Sequence, residues 1–379
     1  MTPVKHIALF IANLNGGGAE RAMVNLANGL SGNIARVDLV LGQAAGPFLH
    51  EVVEAVNVVD LGCPKIAGAL FPFRRYLKNA RPQAVISTLV RVNILTVLAS
   101  RYLDWHPVII LREANTPSTE RTRDPSRVLQ LTYDLAKFIY PLADAVVALS
   151  DHSREDCAAF YALDNRKVHR LYNPIVDEGL LARASEPFSH PWLNGQRRLI
   201  STMGRVVHQK GFDILIDAFS RVAKQHDTRL LIVGETRADP TLYKKLQDKI
   251  RVLGLDGRVD FLGFDTNPYR IIAQTDVFVL ASRWEGLPGA LIQALAVGVP
   301  VVATDCPGGS REVLQDGRCG QLVPVEAPEA LADAISAVLD GEWPPVCKTC
   351  LEPFSMASVV GAWRKLLGDL VHGCGQRGV

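Results

Sequence analysis

The sequence predicts an α/β protein with two domains, each built on a parallel sheet. Short apolar runs of strand length alternate with longer helical patterns along the 379 residues, which is enough chain for two domains. The segment 276–314 shows this unit most clearly, as an apolar run, a polar turn, a helix, a Gly-Val-Pro break and a second apolar run. The alternation restarts at Leu199, after an aperiodic stretch rich in Pro, Ser and Gly.

These breaks in the pattern also predict the domain boundaries. The aperiodic stretch covers 182–197 and follows an Asn-Pro step that begins at Asn173. We therefore predict a first domain over 1–178, a linker over 179–197, a second domain over 198–355, and a closing helix with a tail over 356–379.

In the first half, buried-strand patterns alternate with helical ones. Ser150 has the sequence context of a helix N-cap, because it directly follows a strand pattern. The polar, Arg-rich segment 116–127 predicts a loop, since Asp124-Pro125 breaks any helix there. We expect helices over 19–30 and 90–101, and strands over 6–11, 36–41, 57–61, 84–88, 108–112, 145–149 and 168–171.

The second half repeats the alternation with fewer strands. Besides the helix that follows Gly289, we expect helices over 212–224, 243–253, 268–274, 330–339 and 356–371. The strand patterns of this half cover 199–203, 230–233, 259–263, 277–281 and 299–303.

Composition narrows the function classes. Apolar residues make up 48 % of the chain, which is typical of a globular protein. With 41 basic and 39 acidic residues, the net charge is +2, and a charge this close to neutral does not indicate a nucleic-acid partner. No apolar run reaches the ~18 residues that a membrane span needs. The N-terminal segment lacks the small-residue cleavage site of a signal peptide, so we expect a cytoplasmic protein.

The segment 65–80 mixes apolar and basic side chains and has two interpretations. It is either a stretch that lies on a membrane surface or a helix that packs on the sheet with a solvated basic edge. Pro72 argues against one long helix through the segment. Peripheral contact with the membrane is therefore one of the partners that we consider.

The seven cysteines do not form a disulfide pattern, because their number is odd and their spacing irregular. Four side chains near the C-terminus have the spacing of a zinc site: Cys347, Cys350, His372 and Cys374. The first pair lies in a Pro-rich segment and the second in a Gly-rich tail, so we favour unliganded thiols and expect neither a metal nor a cofactor.

The turn after the strand pattern 277–281 predicts an anion site. Parallel sheets bind ligands beyond the carboxyl ends of their strands. Backbone N–H groups at the start of a helix are unpaired and lie at its positive end. Glu285 stands in the same turn and would repel an anion, unless it binds hydroxyl groups instead. Hydroxyls beside phosphate suggest a sugar nucleotide, contacted by Glu285 and by Gly286, Leu287, Pro288 and Gly289.

A second turn presents two cations. The segment 204–211 follows the strand pattern 199–203 and carries Arg205 and Lys210, with Gly204 and Gly211 at its ends. Two fixed cations at the start of a helix suit a diphosphate. The alternative is a surface loop of ion pairs.

The first half contains two weaker candidate binding segments. Gly16, Gly17 and Gly18 join a strand to a helix, which fits either a tight turn or a close approach to phosphate. Arg112, Glu113 and Asn115 follow the strand pattern 108–112, where they either bind the acceptor or donor, or cap local structure.

Taken together, these motifs resemble the donor-site signature of family-four glycosyltransferases, and the resemblance covers nearly the whole chain. The loop of Arg205 resembles that family's diphosphate clamp. The signature elsewhere runs Ser282-x-x-Glu285-Gly286-Leu287-Pro288 and then Ala294-x-Ala296-x-Gly298-x-Pro300-Val301-Val302. The family has a second Glu where this chain has Gln293.

The resemblance implies the GT-B fold, in which two Rossmann-like domains face each other across a cleft and the C-terminal helix crosses back to the N-domain. It implies that Glu285 binds the hydroxyls of the donor sugar, and that Gln293 lies where relatives grip the ribose. It also places Gly17 and Gly18 over the donor phosphate. Gly263 and Phe264 would lie beside the nucleobase.

The implied reaction is transfer of a hexose or N-acetylhexosamine, with retention of configuration, from a nucleotide sugar, in our reading a UDP-sugar. The implied acceptor is a lipid-linked glycan, carried on polyprenyl diphosphate at the inner face of the membrane. No Asp-x-Asp triplet occurs in the sequence, so we expect metal-independent transfer that relies on Arg205, Lys210 and the helix start. The alternatives are a sugar-nucleotide epimerase of the same fold and a non-catalytic sugar-nucleotide-binding protein.

Overall fold

The computed structural model of the protein describes residues 4–124, 126–193, 197–344 and 350–375. The chain forms two compact units. Unit 1 comprises residues 1–175 together with 354–379, and unit 2 comprises 176–353. The segment 179–197, which the sequence suggested as a linker, falls within unit 2. The closing helix falls within unit 1.

Unit 1 is built on a seven-stranded, wholly parallel sheet, as the sequence predicts. The strand order is β3-β2-β1-β4-β5-β6-β7, so β1 and β4 lie at the centre. The strands span His6–Ile11 (β1), Arg36–Leu41 (β2), Val56–Asp60 (β3), Ala84–Thr88 (β4), Val108–Arg112 (β5), Ala145–Ala148 (β6) and Val168–Arg170 (β7).

Unit 2 is built on a six-stranded parallel sheet with the order β10-β9-β8-β11-β12-β13. The five predicted strands are confirmed, and a short edge strand joins them. The strands span Arg198–Met203 (β8), Thr228–Val233 (β9), Val259–Gly263 (β10), Val277–Leu280 (β11), Val301–Thr304 (β12) and Gln321–Val323 (β13).

Helices connect the strands and cover the sheets. Within the described residues, no helix is both long and apolar enough to cross a membrane. The helices span Gly18–Ser31 (α1), Leu70–Ala80 (α2), Val90–Ser100 (α3), Pro117–Arg123 (α4), Arg127–Ile139 (α5), Asp151–Phe160 (α6), Leu180–Ala184 (α7), Phe212–Gln225 (α8), Pro240–Val252 (α9), Tyr269–Ile272 (α10), Gly289–Ala296 (α11), Ser310–Val313 (α12), Pro328–Leu339 (α13) and Met356–Gly375 (α14).

The alternation of side chains along β1 explains how unit 1 is layered. Ile7 and Leu9 pack into one core with α1 and α14, whereas Phe10 packs into a second core with α2, α3 and α5. Because both faces of the sheet are covered, the strands read as continuous apolar runs. α14 contributes Trp363 and Leu367, both fully buried, so this helix is part of the core.

The predicted loop over 116–127 is wrong, because the structure forms α4 and the start of α5 there. Thr116 precedes Pro117 at the first position of α4, where proline's fixed φ and missing N–H carry no penalty. The break at Asp124 does end α4, but Ser126 then caps α5 by accepting a hydrogen bond from Leu129 N at 3.3 Å. The break therefore separates two helices.

The segment 65–80 forms a short turn and then α2, which packs on the sheet through Phe73 and Leu77, both fully buried. Pro72 lies in the first turn of α2 and therefore does not interrupt it. The packed helix with a basic edge, one of the two sequence interpretations, describes this segment in the structure.

The structure corrects the interpretation of the cysteines. Cys319 and Cys350 form a disulfide, with Cα atoms 7.3 Å apart across a sequence separation of 31. Sequence spacing cannot reveal a pairing that the fold brings about. Cys350 is thus committed to Cys319, while Cys347 and the side chain of Cys374 lie outside the described residues. His372 Nδ1 contacts the carbonyl oxygen of Gly368.

Candidate functional site

Three loops meet at the carboxyl ends of neighbouring strands in unit 2. They follow β8, β11 and β12, which lie side by side in the sheet. Arg283 N donates to Gln209 O at 2.7 Å, and Gln209 Nε2 donates to Trp284 O at 2.8 Å. Glu285 N donates to Pro307 O at 2.9 Å. The backbone therefore fixes these loops as one assembly.

Two glycines permit this close approach. Gly211 has φ of +63°, and a Cβ there would lie 2.1 Å from Ala281 O. Gly308 has φ of +125°, and a Cβ there would lie 2.0 Å from Glu285 O. Any side chain at either position would force the loops apart, because such distances are far inside van der Waals contact and both φ angles disfavour L-residues.

Glu285 lies at the centre of the assembly. It is 5 % exposed, and its Oε1 accepts hydrogen bonds from Lys210 Nζ and Ser282 Oγ, both at 2.6 Å. A buried carboxylate is stable only when it is paired, and Lys210 supplies the opposite charge. The structure thus brings together two of the three predicted catalytic side chains.

Arg205, the third, is exposed. Its guanidinium makes no hydrogen bond or ion pair with any residue that the structure describes. It follows β8 in the same loop as Lys210, and so belongs to the same edge of the sheet. An exposed guanidinium without a protein partner is available to bind an anionic ligand.

The turn after Glu285 leads into α11. Gly286, Leu287 and Pro288 are buried, and α11 begins at Gly289 without a hydrogen bond from a capping side chain. The first amides of a helix carry partial positive charge. The start of α11 therefore adds a positive field next to Lys210.

Arg283 has a structural task instead. Its guanidinium donates to both carboxylate oxygens of Asp213, at 2.9 and 2.7 Å, and it also binds Glu326 and the carbonyl oxygen of His208. These bonds tie the β11 loop to the start of α8. Although burial opposes it, the Arg283 guanidinium holds the pKa of Asp213 below its usual value.

Gln293, on α11, is 8 % exposed and incompletely bonded. Its Nε2 lies 3.3 Å from Tyr269 Oη, and its Oε1 has no hydrogen-bond partner among the described residues. A buried amide oxygen without a partner is costly, and a ligand hydroxyl would satisfy it. Gly263, at the end of β10, has φ of +74°, and Phe264 beside it is exposed.

In unit 1, the end of β5 is buried. Arg112 donates to Thr88 Oγ1 at 2.6 Å and to Asn173 Oδ1 at 2.5 Å, so it links the ends of several strands. Burial lowers its pKa to about 10. Asn115 donates to both carboxylate oxygens of Glu120, at 2.9 and 2.8 Å.

Glu113 lies within the interior of unit 1. It is 1 % exposed, and its Oε2 accepts hydrogen bonds from Tyr140 Oη at 2.8 Å and Tyr161 Oη at 2.9 Å. Burial raises the pKa of its carboxyl to about 7. The three polar residues predicted after β5 thus all have intramolecular partners.

The glycine loop of unit 1 opens α1. Gly17 is the N-cap residue, and a Cβ there would lie 2.3 Å from Glu20 Oε2. Gly18 has open space where its Cβ would be. The carboxylate of Glu20 therefore lies close over the backbone of the loop.

Sequence patterns missed several residues of the unit 2 site. Thr304 Oγ1 donates to Ser282 O at 2.6 Å and so fixes the β11 loop from the neighbouring strand, and Tyr269 receives the Gln293 amide. Neither residue stands in a recognisable motif, since each acts through the fold. Among the described residues, no three His, Cys, Asp or Glu side chains cluster as metal ligands would.

Comparisons with known families match both halves of the chain. Residues 16–178 match the model described as Glycosyltransferase Family 4. Residues 197–341 match the model described as Glycosyl transferases group 1. The second match contains all three loops of the unit 2 site.

Curated relatives are similar over most of their length. One is the N-acetylgalactosamine-N,N'-diacetylbacillosaminyl-diphospho-undecaprenol 4-alpha-N-acetylgalactosaminyltransferase of Campylobacter jejuni, 27 % identical over 89 % of this chain and 91 % of that protein. Another is the amylovoran biosynthesis glycosyltransferase AmsD of Erwinia amylovora, 27 % identical over 86 % of this chain and 88 % of that protein.

Solved structures share the fold. The Anabaena protein Alr3699/HepE, in complex with UDP and glucose, matches with a TM-score of 0.78 at 18 % identity, over 96 % of this chain and 99 % of that one. Sucrose-phosphate synthase of Thermosynechococcus elongatus matches with a TM-score of 0.81 at 16 % identity, over 97 % of this chain and all (100 %) of that one.

Proposed function

The chain carries a Glycosyltransferase Family 4 domain and a Glycosyl transferases group 1 domain, and on that premise we propose that it transfers a hexose or N-acetylhexosamine, with retention of configuration, from a UDP-sugar to a polyprenyl-diphosphate-linked glycan. The product would extend a lipid-linked glycan in cell-surface polysaccharide or glycoconjugate assembly. The transfer would take place at the cytoplasmic face of the membrane. We propose a UDP-sugar as the donor because the solved structure of Alr3699/HepE contains UDP. We propose a polyprenyl-linked acceptor because the name of the Campylobacter relative includes an undecaprenol-linked substrate.

The observation that carries the proposal is the pair of Glu285 and Lys210, 2.6 Å apart beside the start of α11. Breaking a sugar–diphosphate bond builds negative charge on the departing nucleotide. Fixed cations and helix dipoles stabilise that charge without reorganising. Lys210, Arg205 and the first amides of α11 are the groups to which we assign this task.

Glu285 would bind hydroxyls of the transferred sugar and stabilise positive charge at its anomeric carbon. The carboxylate is suited to this, because its position is fixed by Ser282 and by the backbone bond to Pro307. Gln293 would bind the ribose through the amide oxygen that has no protein partner. We assign the nucleobase to the backbone at Gly263 and to Phe264.

The unit 1 residues Gly17 and Gly18 remain our candidates for contact with the donor phosphates. Arg112, Glu113 and Asn115 remain our candidates for the acceptor side. In the structure, each of the last three has intramolecular hydrogen-bond partners of its own, so we expect them to act by shaping the end of β5.

The test is a donor and acceptor panel. The protein is incubated with UDP-, GDP- and ADP-sugars in the presence of a synthetic polyprenyl-diphosphate sugar, and both nucleotide release and the extended lipid are measured. We expect extension from a UDP-sugar with the anomeric configuration of the donor, read by nuclear magnetic resonance. Epimerised UDP-N-acetylglucosamine without acceptor would instead identify an epimerase, and donor binding without turnover would identify a binding protein.

We also propose that transfer needs no divalent metal, since the sequence lacks an Asp-x-Asp triplet and the cations named above supply positive charge. Turnover should persist in excess chelator. A loss that added magnesium or manganese restores would refute this part of the proposal.

A further inference from the structure

The two ends of the Gln293 amide differ in their surroundings. The nitrogen, Nε2, lies 3.3 Å from the hydroxyl oxygen of Tyr269. The oxygen, Oε1, has no hydrogen-bond partner among the described residues. A glutamine amide offers N–H donors at one end and a single acceptor oxygen at the other. Because Tyr269 takes the nitrogen, the oxygen is the atom that is left for a ligand.

The position of Gln293 on α11 indicates which part of a nucleotide this oxygen would meet. α11 begins at Gly289, and Gln293 follows four residues later on the same face of the helix. The two residues are therefore separated by about 6 Å along the helix axis. With the diphosphate at the start of α11, a group bound one turn further along is the ribose, which is joined directly to the phosphates.

Tyr269 is itself held in a fixed position. It is the first residue of α10, it is buried, and α10 packs against both α7 and α11. The guanidinium of Arg183, on α7, lies over the Tyr269 ring, with Cζ 5.1 Å from the ring centroid. Arg183 Nη2 in turn donates to Asp177 Oδ2 at 2.7 Å. The hydroxyl that meets the Gln293 amide therefore belongs to a rigid part of unit 2.

An amide needs an orienting partner of this kind, whereas a carboxylate does not. The two oxygens of a carboxylate are equivalent, so it accepts protons from two neighbouring hydroxyls in either orientation. An amide accepts at one end alone, and in the reverse orientation it would turn N–H groups towards the hydroxyls. The contact with Tyr269 therefore decides what the Gln293 side chain can recognise.

We propose that Tyr269 is a positioning residue, which orients the Gln293 amide so that the protein accepts a proton from one ribose hydroxyl and not from both. The site then requires either the 2′- or the 3′-hydroxyl and tolerates the loss of the other. Its substrates accordingly include nucleoside diphosphate sugars that carry a deoxyribose. This inference rests on the proposed function in one respect, the assignment of Gln293 to the ribose.

The test is the affinity of the full chain for UDP, 2′-deoxy-UDP and 3′-deoxy-UDP, measured by calorimetry. We expect one deoxy nucleotide to bind about tenfold more weakly than UDP, because its loss leaves Oε1 unpaired, and the other to bind within about twofold of UDP. Gln293→Glu should make both deoxy nucleotides weaker than UDP, since a carboxylate accepts from both hydroxyls. Equal losses with the two deoxy nucleotides in the unaltered chain, or no loss with either, would overturn the inference.

Tyr269→Phe tests the positioning role, because it keeps the buried ring and removes the hydroxyl that Nε2 contacts. UDP affinity should fall about tenfold, and the difference between the two deoxy nucleotides should shrink. Adding Gln293→Glu to Tyr269→Phe should restore UDP affinity, because a carboxylate needs no orientation. Tyr243→Phe, on α9 of the same unit, is the matched control and should change nothing. If Gln293→Glu does not restore affinity, Tyr269 acts only on the packing of α10 and the inference fails.

Transfer from a UDP-sugar to the lipid-linked acceptor, measured in parallel, separates this inference from the proposed function. Tyr269→Phe should raise the donor KM about tenfold and leave kcat near its original value, because the amide binds the ribose and not the reacting carbon. If UDP binds with the expected pattern but no sugar is transferred, the proposed function fails and the inference stands. If transfer occurs while both deoxy nucleotides bind as UDP does, the inference fails and the proposed function stands. If neither UDP, GDP nor ADP binds, both fail.

Discussion

Two carboxylates at the ends of parallel strands, one in each unit, are almost equally buried and yet held in opposite ways. Glu113 follows β5 and is bonded by two tyrosine hydroxyls, whereas Glu285 follows β11 and is bonded by a lysine ammonium. Without a cation, burial raises the pKa of Glu113 to about 7. The comparison teaches that burial alone does not define a catalytic carboxylate, because equally buried carboxylates can have either neutral hydroxyls or a cation as partners.

The largest effect that we predict is the loss of transfer in Glu285→Gln. The amide keeps the shape of the side chain but removes the charge that would face the developing positive centre, so turnover should fall about 10²–10³-fold. UDP affinity, measured by calorimetry, should change little. Glu342→Gln, at an exposed site of unit 2, is the control. Turnover near the original rate in Glu285→Gln would remove Glu285 from the mechanism.

Lys210→Met and Arg205→Met test whether the two cations differ as their surroundings do. Lys210→Met leaves the buried Glu285 carboxylate without its counter-charge, which should lower the free energy of unfolding by about 3 kcal/mol in addition to the loss of turnover. Arg205→Met removes an exposed cation, so it should weaken donor binding while the unfolding midpoint in urea stays unchanged. Equal stability losses in the two variants would contradict this distinction.

Glu113 should give unit 1 a pH-dependent stability. Because its pKa is about 7 in the folded chain and the ordinary value is 4.5, the folded state holds more protons between these values. Stability is therefore full below pH 4.5 and falls as the pH rises through 7, by about 3 kcal/mol. Glu113→Gln should abolish this fall in urea titrations at pH 5 and 8, and Glu54→Gln should not. If the free energy of unfolding of Glu113→Gln still fell to the same extent between pH 5 and 8, Glu113 would have to be ionised in the folded chain.

The smallest predicted effect is that of Gln293→Glu. A carboxylate accepts hydroxyl protons at both oxygens, so the donor KM should stay the same or improve a few-fold, with turnover intact. Steady-state kinetics with varied donor would measure it, and the unaltered chain is the reference. A large loss of turnover would mean that Gln293 has a task other than binding the ribose.

The fold was largely predictable because the buried strands of a parallel sheet have continuous apolar sequences. β1, β2, β4, β5 and β10 begin and end at the predicted residues. The prediction failed over 116–127, where Pro125 was taken to break a segment that in fact contains parts of two helices. It also missed α5, because apolar residues on the exposed side of this helix obscure the sequence periodicity that distinguishes a buried side from an exposed one.

The site was predictable in part. Glu285, Lys210 and the start of α11 stand in motifs whose glycines and charges are visible in the sequence. The hydrogen bond from Thr304 to the β11 loop and the contact of Tyr269 with Gln293 were not predictable, since they join residues 22 and 24 positions apart. The disulfide between Cys319 and Cys350 was not predicted for the same reason.

The sequence by itself determined the two parallel sheets and the loops that carry Arg205, Lys210 and Glu285, because strand and turn patterns are local properties of the chain. Only the tertiary structure decided which of these side chains are paired. It set Lys210 against Glu285 and gave Glu113 tyrosines instead of a cation. Charge pairing depends on distances between segments remote in sequence, and those distances exist only once the sheets have formed.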